Sequence, residues 1–403
     1  MTRRKFLCTC VAAPSLFHIV PRHVLGGPGQ IPPSETFGAA LIGVGGRGPS
    51  TFRSLCDKHE LNVVKLAECD VKWVGKTDNK TRYTDFRRVL ERKDIDIVAI
   101  ATPPHWHALI SIAAMEAGKD VLCEKPMTRF IGEGRAVVEA ARRYNRVFQI
   151  GTYGRFGAEG ERERHKMMTS GLIKKCTTVY YRRGGFKVRQ WSGRLDLPSQ
   201  PAPKHLDWDM YCGPSPLKPY VRTRVGGTHR WYWDYEGGGL ADMGQHHLDR
   251  FQWVYGKDYT SPIEIEACAP PAHPEVTGMW AWVKMTYADG LTVLLESGEW
   301  GKPYEGVKSH RMGLDELDEN TQNKIRAMPD PEPLLSFGDA VKTRQQAGGH
   351  PEAAHRCATL LHLANLAIRA GRKIHYDPVK ERIMGDEDAN RLVNPPMRAP
   401  WHV

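Results

Sequence analysis

The chain lacks the cysteine spacing that a metal site or a disulfide framework would use. Its nine cysteines are scattered over 403 residues without a CxxC, and the one close pair, Cys8 and Cys10, falls in a segment expected to be removed. Cys56, Cys69 and Cys123 therefore read as small buried hydrophobes, and no metal is expected. His105 and His107 form an HxH pair, but no third ligand stands near them, which favours a loop beside a bound ligand. Long apolar runs are also missing. The stretch ending near Val20 is interrupted by Pro14 and His18 and is too short to span a bilayer. There is no internal repeat. No nucleic-acid recognition motif accompanies the net charge of +11, so nucleic acid is not expected as a partner. Four of those charges, Arg3, Arg4, Lys5 and Arg22, lie in the first 26 residues, where no acid occurs.

With 41% hydrophobic residues the chain can bury a large core, and its length suits two domains. Residues 1–33 begin with a basic TRRKFL run, Thr2 to Leu7, and end in a Pro- and Gly-rich linker. That pattern resembles a twin-arginine export signal, an address read by export machinery, and places the protein in the periplasm. From residue 34 to 151, short β-like runs alternate with helical patterns, as in a doubly wound parallel sheet. The clearest buried strand is Asp94 to Ala101; Asn62 to Cys69 and Asp120 to Cys123 are others. Residues 152–403 change character to longer strands, aromatics and loops. Thr177 to Arg183, Ile263 to Ala269, Trp280 to Tyr287 and Leu291 to Glu296 suggest an open, mainly antiparallel sheet within an α/β domain. Its open face makes a homo-oligomer the expectation. Residues 302–349 read as a loop-rich insertion, and Ala353 to Ala370 as a helix stopped by Gly371.

Ala39 to Ser50 runs from an apolar strand into Gly43, Gly45 and Gly48 at GxGxxG spacing. The first glycine suits a tight strand-to-helix turn, the second a close approach to a pyrophosphate, and the third close packing of helix on strand. Asp70 follows the second strand, about 20 residues past the glycines, where an acid binds an adenosine ribose and favours NAD over NADP. Thr102, Pro103 and Pro104 make a rigid turn at the carboxyl edge of the sheet, where ligands bind in this architecture.

A second informative stretch is Gly237 to Asp249, GGGLADMGQHHLD. In a helix, Asp242 and His246 lie four residues apart on one face. A carboxylate beside an imidazole holds the ring and favours its charged form, which suits proton removal from a hydroxyl. The same spacing also fits a capping Asp beside a surface His, and Lys125 alone is also an ordinary helix-cap lysine.

Taken together, GVGGRG, TPPHWHA, EKP, LDWDMYCGPSP from Leu206, DMGQHHLD and NLAIRAGRKIHYDP from Asn365 resemble the glucose-fructose oxidoreductase and inositol dehydrogenase family, Gfo/Idh/MocA. The resemblance covers nearly the whole chain. It implies a Rossmann domain joined to an α/β domain, with a sugar or cyclitol bound over a nicotinamide. By the same resemblance Lys125 positions the reacting hydroxyl, His246 is the acid/base and Asp242 orients it. NAD would be held by Gly43, Gly45, Gly46, Arg47, Gly48, Asp70, Thr102, Pro103, His107, Glu124 and Lys125. Tyr153, Arg155, His229 and Tyr232 are placed beside the sugar. Arg182, Arg183, Lys187, Arg189 and Arg194 crowd one stretch that reads first as a solvated loop and also suits an anionic glycan.

Three functions remain open on this reading. One is glycoside hydrolysis through a keto intermediate, with tightly bound NAD recycled within each turnover. Another is a sugar or cyclitol dehydrogenase or a sugar-to-sugar oxidoreductase. The third is a nucleotide-binding sensor without turnover, against which an intact Lys125, Asp242 and His246 count.

Overall fold

The computed structural model describes residues 35–152, 154–173, 178–182, 193–298, 300–305 and 312–403. The export signal and Tyr153 lie outside the described residues. So do Arg183, Lys187 and Arg189 of the basic stretch.

The first sheet is built from β1 (Thr36–Ile42), β2 (Asn62–Cys69), β3 (Arg82–Tyr83), β4 (Ile97–Ile100), β5 (Asp120–Cys123) and β6 (Phe148–Ile150), interleaved with α1 (Gly48–Asp57), α2 (Phe86–Leu90), α3 (His107–Glu116) and α4 (Ile131–Tyr144). All its pairings are parallel and the order is 3-2-1-4-5-6, the doubly wound Rossmann arrangement. Successive residues of β1 serve opposite faces, as the two-residue period of a strand requires. Ala40 and Ile42 join the core beneath α2, α3 and α4, whereas Ala39 and Leu41 join Leu55 of α1 on the other side.

The rest of the chain adds α5 (Arg162–Thr169), β7 (Thr178–Arg182), α6 (Trp208–Cys212), α7 (Gly238–Val254), β8 (Glu264–Cys268), β9 (Trp282–Thr286) and β10 (Thr292–Glu296). It closes with α8 (Glu319–Ala327), α9 (Phe337–Thr343), α10 (Pro351–Ala370), β11 (Ile374–Asp377), β12 (Arg382–Ile383) and α11 (Glu387–Asn390). The second sheet runs 12-11-8-9-10-7, antiparallel except where β7 pairs parallel with β10. One face is packed by α7 and α10 through Leu248, Phe251, Leu360 and Leu363. α10 begins with Pro351 in its first turn and stops at Gly371 in the left-handed region, φ +63°.

Residues 302–349 hold more structure than loops. Their polar composition hides the buried face of α9, where Phe337, Ala340 and Val341 fill the Rossmann core beside α1. A Cβ on Gly338 would come within 1.6 Å of the His59 carbonyl, so α9 sits directly on the loop after α1. α10 crosses between the two sheets as well, since Ala354 and Ala358 belong to the core of the first. A cleft is thereby fixed between the carboxyl edge of the parallel sheet and the N-terminal half of α7.

Candidate active site

The near wall of the cleft is made largely of backbone. Gly43 takes φ +91°, and a Cβ there would lie 2.6 Å from the Ala101 and Thr102 backbone, so the turn out of β1 lies against the end of β4. A Cβ on Gly48 would come within 2.1 Å of the Gly43 carbonyl, which explains why helix and turn pack so closely. Gly45 and Gly46 behave differently. A Cβ on Gly46 meets nothing within 4 Å and one on Gly45 only Lys72 Nζ at 3.8 Å, leaving an open lip of backbone at the start of α1. The Asp70 carboxylate is set beside that lip, accepting from the Val44 N–H at 3.2 Å and the Lys72 N–H at 2.9 Å.

Glu124, at the end of β5, accepts from Thr51 Oγ1 at 2.6 Å and Arg47 Nε at 3.0 Å. Its Oε2, like Thr102 Oγ1, is buried and has no hydrogen-bond partner among the described residues. Both residues line the cleft, together with Gly43, Gly45, Gly46, Arg47, Asp70 and Pro103. An open glycine lip at a helix N-terminus, an acid at the end of β2 and unanswered buried polar atoms fit an extended dinucleotide.

The far wall is made of charged side chains. Lys125, following β5, donates from Nζ to Asp242 Oδ1 at 2.7 Å and to the Asp242 carbonyl at 2.9 Å, joining the parallel sheet to α7. Arg230 Nε lies 2.9 Å from the same carboxylate oxygen. Burial pushes the Asp242 carboxyl up, but the Lys125 and Arg230 charges outweigh it and hold the group below its usual range, hence ionised. His229 and Glu236 complete this wall, with His229 Nε2 3.1 Å from Glu236 Oε2.

Asp242 and His246 share a face of α7, but the carboxylate is tied to Lys125 and Arg230 rather than to the imidazole. Among the described residues no group hydrogen-bonds the His246 ring. Its pKa moves opposite to the sequence expectation. Burial lowers it first and the Lys125 charge next, and together they exceed the opposing pull of Glu124 and Asp242. The half-buried ring is therefore neutral at neutral pH and ready to accept a proton.

Like His107, the predicted site residues His246 and Gly48 are not among the residues that line the cleft. Three other expectations are corrected. His107 does not line the cleft; its ring nitrogens lie 2.8 Å from the Thr102 carbonyl and 2.7 Å from the Pro126 carbonyl, so it clamps the two loops that do. Arg155 is fully buried away from the cleft, paired with Asp249 at 3.0 Å and Asp258 at 2.6 Å, because a buried guanidinium must be neutralised. Tyr232 is 1% exposed; its hydroxyl donates to the Arg194 carbonyl at 2.9 Å and its ring lies under the Arg224 guanidinium. Of the basic stretch, Arg194 is held by Asp196. His105 turns Nε2 to the Tyr211 carbonyl at 2.8 Å, and among the described residues no cluster of three or more potential ligands could hold a metal ion.

The sequence reading passed over Arg230 and Glu236. The first adjoins His229 and the second precedes the Gly237 to Gly239 run, but nothing in their spacing reveals that the short helical turn Gly226–Trp231 folds back toward Asp242. Trp106, Met210 and Tyr211 also line the cleft and were not singled out as site residues.

Two family models match the chain. One, described as an oxidoreductase family NAD-binding Rossmann fold, covers residues 37–152, and the other, the oxidoreductase family C-terminal alpha/beta domain, covers residues 160–403. Among curated proteins, a levoglucosan dehydrogenase from Pseudarthrobacter phenanthrenivorans is 45% identical over 67 residues, 17% of this chain and 17% of that protein. An alpha-N-acetylgalactosaminidase from Shewanella oneidensis is 34% identical over 127 residues, 28% and 27% of the respective chains. Such matches span only 17 to 31% of the relatives' length. Among solved structures, the WlbA dehydrogenase from Chromobacterium violaceum, in complex with NADH and UDP-GlcNAcA, shares the fold. Its TM-score is 0.54 at 16% identity, over 85% of this chain and 96% of that one.

Proposed function

The chain belongs to the Gfo/Idh/MocA oxidoreductase family, with its NAD-binding Rossmann domain and C-terminal alpha/beta domain, and from that premise we propose an enzyme that oxidises a sugar hydroxyl with tightly held NAD. On this reading the cofactor is restored within each turnover, and the net reaction is glycoside hydrolysis through a ketone. The observation that carries it is the 2.7 Å contact of Lys125 with Asp242, which places an ammonium and an ionised carboxylate in the cleft that holds the glycine lip and Asp70.

When bound, a nicotinamide dinucleotide supplies a hydride acceptor. The protein's own groups handle the proton. Two of the three ammonium N–H groups of Lys125 go to Asp242, which leaves one to orient a substrate hydroxyl. Neutral His246 takes the hydroxyl proton and returns it when the ketone is reduced, because one group serves both directions. Asp242 fixes Lys125, and Asp70 receives the ribose hydroxyls, which favours NAD over NADP. Support for a sugar substrate comes from relatives named levoglucosan dehydrogenase and alpha-N-acetylgalactosaminidase.

Export of the folded, cofactor-loaded protein belongs to the same proposal. Outside the cytoplasm no ample nicotinamide pool is expected, so a recycled cofactor suits the TRRKFL segment. The test is to mix the purified protein with a panel of glycosides and follow aglycone release and nicotinamide absorbance together. Aglycone release without accumulation of reduced cofactor is expected; stoichiometric accumulation of a ketone and reduced cofactor would leave the ordinary dehydrogenase instead.

A further inference from the structure

Two carboxylates line the far wall, and the oxidation described above employs only Asp242. Glu236 precedes α7, is 2% exposed and lines the same cleft. Its Oε2 is held 3.1 Å from His229 Nε2 and 3.7 Å from Arg230 Nε. The other ring nitrogen of His229 faces the Gly226 carbonyl, so both ring nitrogens are already engaged. Glu236 Oε1 is the exception in this cluster. It is buried and has no hydrogen-bond partner among the described residues, an arrangement that calls for a water, an ion or a ligand group to answer it.

A dehydrogenase needs one proton acceptor, for the hydroxyl, and His246 fills that place. Hydrolysis through a ketone needs a second, for the carbon next to the carbonyl. We propose that Glu236 is this second proton-transfer group, an inference that rests on the glycosidase reading above. Through Oε1 it takes the proton from that carbon. The C–H electron pair becomes a C=C bond, the bond from the next carbon to the leaving oxygen breaks with its pair on oxygen, and the proton on Glu236 passes to that oxygen. Water then adds in the reverse sense: its oxygen bonds to the carbon that lost the aglycone, and its proton returns through Glu236 to the neighbouring carbon. The ketone is formed and later reduced in the same site, so no other oxidant is required. His229 and Arg230 are positioning residues that aim the carboxylate.

The test uses the full-length protein with its bound nucleotide, incubated in D2O with p-nitrophenyl glycosides of both anomers. Three readouts are followed: reduction of the bound nicotinamide, deuterium uptake at the carbon beside the oxidised one, and release of p-nitrophenol. Glu236→Gln is expected to lower deuterium uptake and release by about 10²- to 10⁴-fold, far more than it lowers cofactor reduction. Glu236→Asp should recover part of both. If Glu236→Gln exchanges and releases at the wild-type rate, the assignment is overturned while the glycosidase reading stands. Equal loss of all three readouts assigns Glu236 to binding and also overturns it. If the wild type reduces its cofactor but neither takes up deuterium nor releases p-nitrophenol, the glycosidase reading fails and the second base with it.

Discussion

The two walls of the cleft are built from different materials. On the near wall, Gly43, Gly45 and Gly46 and the Asp70 contacts with the Val44 and Lys72 N–H groups form a backbone cradle whose shape follows from a short sequence motif. On the far wall, Arg230, Glu236, Asp242 and Lys125 hold one another by charge. A backbone cradle recognises a ligand common to many enzymes, whereas a charged side-chain network is adjusted to one reaction. Binding and chemistry should therefore separate by wall.

The largest expected effect belongs to Lys125 on the far wall and to His246 one helical turn beyond Asp242 on α7. Lys125→Ala and His246→Ala should each lower turnover by about 10²- to 10⁴-fold, the usual worth of general acid/base help, with bound nucleotide retained. Steady-state rates and nucleotide content after gel filtration measure both quantities. Near-normal turnover in both variants would remove the proposed site, and loss of nucleotide in step with turnover would erase the division between walls.

A smaller effect belongs to the near wall. Asp70→Ala should weaken NAD retention by about 10- to 100-fold, as loss of hydrogen bonds to a charged group does, with a much smaller change in the rate of hydride transfer once saturated. Calorimetric titration of nucleotide-free protein with NAD and NADP checks it. Equal affinity for NAD in the variant would mean that another acid holds the ribose.

How much of this was legible in the sequence follows the same division. β5 coincides with the expected Asp120 to Cys123 because a buried parallel strand is a short apolar run bounded by turn residues, and β2 coincides with Asn62 to Cys69 although only Ala67 and Cys69 of it are buried. Lys125 was singled out only by the family resemblance, whereas the glycine turn was legible because motif spacing fixes backbone shape. The seating of α9 on the Rossmann core was not, since the contact of Gly338 with His59 spans far more chain than any periodicity reports. Arg155 and Tyr232 were placed beside the sugar by their position in the chain alone. Their neutralising partners, Asp249 and Asp258 for Arg155, lie 94 and 103 residues away. The direction of the His246 shift was missed for a related reason. Spacing along a helix shows the acid four residues away but not the burial and the lysine that outweigh it.

The smallest effect is a displaced pH limb. Since burial and Lys125 lower the His246 pKa, the neutral ring persists below pH 6.5, and the rate of hydroxyl oxidation should fall only as pH drops through that lowered value. Single-turnover reduction of the bound cofactor, taken across acid pH, reads the limb. In Lys125→Met the lysine charge is gone, so the residual limb should move up toward 6.5. A limb that does not move would disconnect Lys125 from His246.

On the proposed reading the cofactor stays on the protein and is restored in every cycle. That reading is tested most directly by purifying the protein without added nucleotide, quantifying bound NAD, and counting products formed per bound cofactor with none supplied. Protein that arrives with NAD bound and makes many product molecules per cofactor, with no net reduced nicotinamide, is expected. Protein that arrives empty and requires one free NAD for each product would contradict it.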